Sequence, residues 1–126
     1  RAAPALIEVP LRVKQPYSVT AAAEVAALAG FRDLPVLKER IAAIVSERER
    51  LERLLAELPG FEVTPSRANF VLCRVEGRSA AGLKAALAHE GILVRHYARP
   101  GLENCIRVSA GRPEQTDLLL AALARV

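Results

Sequence analysis

Apolar positions along the chain change period twice. Leu34, Leu37, Ile41, Ile44, Val45, Leu51, Leu54, Leu55 and Leu58 recur at spacings of three and four, which predicts one long amphipathic helix. Asp33 is placed to cap it, Pro35 falls in its first turn and Pro59-Gly60 ends it. Before it, Ser18, Val19 and Thr20 lead into Ala21 to Ala29, alanine-rich and closed by Gly30, which predicts a short helix with a small-residue face. Earlier still, Pro4, Pro10 and Pro16 each restrict the preceding residue, so 2–16 reads as an extended arm with room for one or two helical turns over Ala5 to Val9.

Beyond Gly60 the pattern shifts. Asn69 to Val75 alternates and is rich in aromatic and β-branched residues, predicting a strand; Ser79 to Glu90 returns to helical spacing through Leu83 and Leu87, and Gly91 closes it. Ile92 to Tyr97 and Cys105 to Ser109 read as strands separated by the Arg99-Pro100-Gly101 turn. Gly111 and Pro113 mark a break before a final helix over Glu114 to Ala124. The order strand, helix, strand, strand, helix predicts an α+β fold: a small, mainly antiparallel sheet with helices on one face, preceded by the long amphipathic helix. Residues 1–32 read as an arm and short helix, and 33–126 as the main domain.

Length and charge narrow the function. A chain of 126 residues that is 52% hydrophobic and 25% charged has the composition of one soluble domain, not of a disordered or fibrous chain. The net charge of +4 comes mostly from single arginines mixed with glutamates, as in Glu47, Arg48, Glu49, Arg50, Glu52 and Arg53. That run reads as a solvated helix face with Glu49 and Arg53 at a supportive spacing, and with five aromatics and no basic cluster it argues against nucleic acid. Cys73 and Cys105 are far apart and form no C-x-x-C; they read as buried thiols in strands, so no metal site is expected. No apolar run approaches the roughly 18 residues of a membrane span. The chain opens on Arg1, contains no methionine and shows no apolar signal region through Val13; it reads as a truncated cytoplasmic chain.

The usual catalytic motifs are absent: no G-x-S-x-G, H-E-x-x-H, P-loop or G-x-G-x-x-G occurs. His89 and His96 fall in an expected helix and strand, and Lys14, Lys38 and Lys84, the three lysines, have no context marking a Schiff-base amine. Two arginines stand out instead. Arg95 ends Gly91-Ile92-Leu93-Val94-Arg95, and Arg107 sits inside Ile106-Arg107-Val108-Ser109-Ala110-Gly111. A guanidinium in an apolar strand needs a partner, and its planar fork suits carboxylate or phosphate. Spacing alone leaves two readings open, an internal ion pair to a residue such as Glu62 or Glu103, or a ligand anion.

These segments, with Val13-Lys14-Gln15-Pro16-Tyr17-Ser18-Val19 and Ser66-Arg67-Ala68-Asn69-Phe70-Val71-Leu72, resemble in order and spacing the C-terminal part of fold-type I, pyridoxal-phosphate-dependent aminotransferases, most closely the histidinol-phosphate aminotransferase family. The resemblance implies that Arg107 pairs with the substrate α-carboxylate, that Arg95 lies near the substrate's distal phosphate, and that Asn69 and Tyr17 approach the substrate. It implies pyridoxal 5'-phosphate as cofactor of the intact enzyme, a homodimer, and a large cofactor domain upstream of Arg1 that holds the cofactor lysine. No catalytic or cofactor-binding residue is assigned within the chain, which alone is expected neither to hold the cofactor nor to transaminate. Other readings are a threonine-phosphate decarboxylase-like enzyme, an aromatic aminotransferase and, from a different class, a stand-alone amino-acid-binding α+β module.

Overall fold

The computed structural model describes residues 3–14 and 19–126. The chain divides into two units, Arg1–Lys38 and Glu39–Val126. The first holds α1 (Pro4–Val13), α2 (Ala21–Arg32) and the first turn of α3 (Leu34–Ala56). Residues 2, 15 and 16 of the arm expected over 2–16 lie outside the described residues, and within it Pro4–Val13 form a ten-residue helix. Pro4 is spent at its start, where the missing N–H is not needed, so only Pro10 interrupts the hydrogen-bond ladder. Thr20 caps α2 by accepting from the Ala23 N–H at 3.2 Å, and Gly30 lies inside α2 instead of closing it. No residue of α2 is buried.

The second unit continues α3 and adds β1 (Phe61–Thr64), β2 (Phe70–Val75), α4 (Ala80–His89), β3 (Arg95–His96), β4 (Cys105–Ser109) and α5 (Pro113–Leu123). The strands form one antiparallel sheet in the order β1-β2-β4-β3. The α+β class and antiparallel sheet agree with the pattern of the sequence. β1 was not expected: its four residues, Phe-Glu-Val-Thr, give alternation too little length to register between Pro59-Gly60 and Pro65. Gly60 makes the turn into it with φ of +76°, and a Cβ there would meet the Glu76 carbonyl oxygen at 3.0 Å. The strand expected over Ile92 to Tyr97 contracts to two residues, because only Arg95 and His96 find partners on β4. Before them the chain is still leaving α4, with the Ile92 N–H bonded to the Leu87 carbonyl at 2.8 Å past Gly91 at φ of +79°.

One sheet face carries the core. Val71, Cys73, Val75, Ile106 and Val108 pack with Leu51 and Leu55 of α3, Leu83 and Leu87 of α4, and Leu119, Ala122 and Leu123 of α5. Period-two alternation therefore sends Phe70, Leu72, Arg74, Arg107 and Ser109 to the other face. The Glu/Arg run of α3 is not wholly solvated as its composition predicts: Glu47 and Arg48 are each 6% exposed. They lie on the same helix stripe as Leu51 and Leu55, so packing against the sheet layer takes them in with it. Glu47 accepts from Arg50 at 3.0 Å and Arg48 donates to Glu49 at 2.8 Å, which takes Glu49 away from the expected pair with Arg53. Arg50 reaches across to Asp117 and to the Pro113 carbonyl, tying α3 to the start of α5. Asn104 links the end of β2 to the start of α4 through Val75 and Ala80.

Leu55 is fully buried, so Leu55→Ala is expected to cost about 2–5 kcal/mol through lost transfer energy and a residual cavity; urea unfolding should show a lower midpoint at an unchanged slope. Burial, and secondarily the nearby Cys105 and Glu52, pushes the Cys73 thiol up from 9.0 to about 12. The folded state therefore holds this proton more tightly than the unfolded chain. Its stabilising contribution is complete below about pH 9 and falls as pH rises toward 12. At pH 8 Cys73 should resist a thiol-labelling reagent in native buffer and react at the ordinary thiol rate in urea.

Candidate functional site

The site is built by the ladder. Antiparallel pairing sets Thr64 of β1 opposite Leu72 of β2, Leu72 opposite Arg107 of β4, and Arg107 opposite Arg95 of β3, one row across all four strands. Directly paired residues share a face, so Arg95 and Arg107 stand side by side on the face away from the helices. Two like charges in register are unfavourable, and the row offers no compensating carboxylate. Glu62, one of the internal partners that spacing left open, lies two residues away on β1 and is engaged by Arg74 at 3.6 Å. Among the described residues no carboxylate, Glu103 included, pairs with the guanidinium of Arg95 or Arg107.

Arg107 is half-buried, and its Nε is enclosed without an acceptor. Its guanidinium lies over the Phe70 ring, 4.9 Å from Cζ to the centroid, and 5.9 Å from the centroid of Tyr97. Arg95, more exposed, lies 5.4 Å from the Tyr97 centroid. Phe70 stands opposite Ser109, on the same face as Arg107 and two residues along. The result is a shelf of two cations laid against two aromatic rings, with no carboxylate of the described residues paired to either.

Asn69 sits just before β2, where its carbonyl accepts from the Ala110 N–H at 2.9 Å and closes the ladder beyond Ser109. Its side chain is exposed and makes no hydrogen bond to either arginine. The loop leading to it is pinned from α3, where Glu52 Oε1 accepts from the Ser66 N–H at 2.7 Å. Glu52 sits within the charged run that composition assigns to solvent. Tyr17, the remaining residue singled out from the sequence, lies outside the described residues. His96 turns its Nδ1 toward the Cys105 carbonyl at 3.2 Å, and His89 is exposed. Phe70 and Tyr97 were not singled out by sequence; the signal available was period two, since Tyr97 follows Arg95 by two residues and Phe70 precedes Leu72 by two. A separate concavity of about 350 Å³ between α3, α5 and the ends of β3 and β4 includes Val94, Val108 and Thr116 in its walls and neither arginine.

A small α+β unit that holds two guanidiniums uncommitted on an open sheet face is equipped to bind an anion. The sequence profile described as aminotransferase class I and II matches residues 2–123, and the chain belongs to that family. It is 52% identical over 118 residues to the histidinol-phosphate aminotransferase of Roseiflexus castenholzii, an alignment that covers 91% of this chain and 32% of that protein. The chain thus spans about a third of the length of the curated relatives it matches. Among solved structures, L-threonine-O-3-phosphate decarboxylase from Porphyromonas gingivalis superimposes with a TM-score of 0.80 at 28% identity, covering 98% of this chain and 39% of that one. Histidinol-phosphate aminotransferase from Sinorhizobium meliloti, solved in complex with pyridoxal-5'-phosphate, gives 0.73 at 28% identity, covering 97% of this chain and 34% of that one.

The family is pyridoxal-phosphate-dependent, but the described residues do not fit that cofactor's aldehyde. Lys14, Lys38 and Lys84 are all exposed, whereas an amine poised for such a bond is desolvated.

Proposed function

We propose that the chain supplies the substrate-anion grip of a pyridoxal-phosphate-dependent aminotransferase, one that moves an amino group between an amino-acid-derived phosphate and 2-oxoglutarate in the manner of the histidinol-phosphate enzymes. The observation that carries this is the pairing of Arg95 with Arg107 in register, with no carboxylate of the described residues joined to either. Identity of 52% to a histidinol-phosphate aminotransferase supports the substrate class. Arg107, central and half-buried, is the better placed for a bidentate contact with a carboxylate; Arg95, at the sheet edge, adds the second charge that a phosphate calls for. Asn69, at the head of β2, and Tyr17 are assigned weaker contacts with the substrate on the family resemblance. The residues described here orient substrate by binding, which fixes the amino group for chemistry performed elsewhere.

Cofactor lysine, ring-binding groups and phosphate cradle are assigned to a large domain of the intact enzyme, which we take to be a homodimer. The chain alone is then expected to hold no cofactor and to be inactive. We place the enzyme in the cytoplasm. Among the described residues no helix is long and apolar enough to cross a membrane. A second reading is favoured by the superposition on L-threonine-O-3-phosphate decarboxylase at a TM-score of 0.80. Both readings use the same anion grip on a phosphorylated substrate. Products separate them: glutamate from 2-oxoglutarate in one case, carbon dioxide in the other.

Arg107→Ala in the intact enzyme should lose about 2–5 kcal/mol of transition-state binding, roughly 30- to 5,000-fold in kcat/KM. Steady-state kinetics with histidinol phosphate and 2-oxoglutarate checks this, and an unchanged kcat/KM would remove Arg107 from the site.

A further inference from the structure

We infer that Tyr97 is a positioning residue, a ring shared by both arginines that holds them side by side and leaves their donors free for the incoming anion. The inference rests on the reading of Arg95 and Arg107 as substrate ligands. It starts from an electrostatic difficulty. The ladder forces the two charges into register, and an empty site needs something to offset their repulsion. A glutamate would do so, but it would occupy the N–H groups meant for substrate. An aromatic face attracts a guanidinium through its quadrupole and takes no hydrogen bond from its edge.

Tyr97 meets that requirement by position. It follows Arg95 by two residues, just past the end of β3, while His96 between them opposes Ile106. Its ring lies 5.4 Å from the Arg95 Cζ and 5.9 Å from the Arg107 Cζ, both within cation–π range. Phe70, by contrast, reaches Arg107 alone, at 4.9 Å. Tyr97 is half-buried, which removes water that would otherwise screen the attraction. The Arg107 Nε is enclosed without an acceptor among the described residues. The Tyr97 hydroxyl has no part in this, so phenylalanine should serve as well.

The test is made in the intact, cofactor-loaded enzyme with histidinol phosphate and 2-oxoglutarate as probes. Tyr97→Leu should raise KM for both roughly three- to thirty-fold, the range a lost cation–π contact gives, with kcat within about two-fold. Tyr97→Phe should stay within about two-fold of the parent in both. Tyr97→Met, which keeps volume without a ring, should reproduce the leucine variant and stands in for it if that protein does not fold. Unchanged KM in the leucine or methionine variant, or a phenylalanine variant as impaired as they are, overturns the inference. Arg107→Ala run alongside separates the two levels: if it is impaired while Tyr97→Leu is not, only the role of Tyr97 fails. If Arg107→Ala is also silent, the anion-grip reading fails beneath it.

Discussion

Arg107 stands opposite Arg95 across the β3–β4 ladder, and the like charges stay together without a carboxylate among the described residues to separate them. Such an arrangement costs free energy in any empty site, and proteins hold it only where the surrounding structure leaves no alternative. Here the constraint is register. A slip of one residue in β4 would turn Arg107 into the core and Ile106 and Val108 out of it, losing the burial of two fully packed side chains and enclosing a charge. The hydrophobic face of the sheet thus fixes the location of the cations on the other face.

That coupling assigns the helices an indirect part in function. α3, α4 and α5 pack on Val71, Cys73, Val75, Ile106 and Val108, and this apolar set keeps β2 and β4 in step. With β2 in step, Leu72 and Phe70 take their places beside Arg107 and Ser109. Glu52 then pins the loop before Asn69 from α3. The chemistry assigned to these residues is recognition, and recognition by a fork of donors depends on orientation held in advance.

Much of this was legible in the sequence where pattern and length were both sufficient. The 23-residue α3, with apolar residues at helical spacing, and β4, with two apolar residues around a single arginine, left little choice of period. β1 and β3 were harder, because four and two residues are too few for a period to emerge and their extent is decided by partners in space. α1 ran against the expectation from its prolines because position within a helix matters more than their number. Within the site, Arg107 was visible as a charge in an apolar strand. Its lack of an internal partner was not, since Glu62 was equally available by spacing until the ladder gave it to Arg74. The sequence did not mark Tyr97 and Phe70 as neighbours of Arg107, because an aromatic ring near a strand ordinarily means packing, and only the fold brings both within reach of one guanidinium.

The central claim is that Arg95 and Arg107 grip one substrate as a unit. A double-mutant cycle on kcat/KM in the intact enzyme, comparing Arg95→Ala, Arg107→Ala and the pair, measures this directly. Residues that share a ligand and a supporting ring should couple, so the account predicts that the double variant loses about 1 kcal/mol or more less than the sum of the single losses. Strict additivity, to within about 0.3 kcal/mol, would show two independent contacts and contradict it.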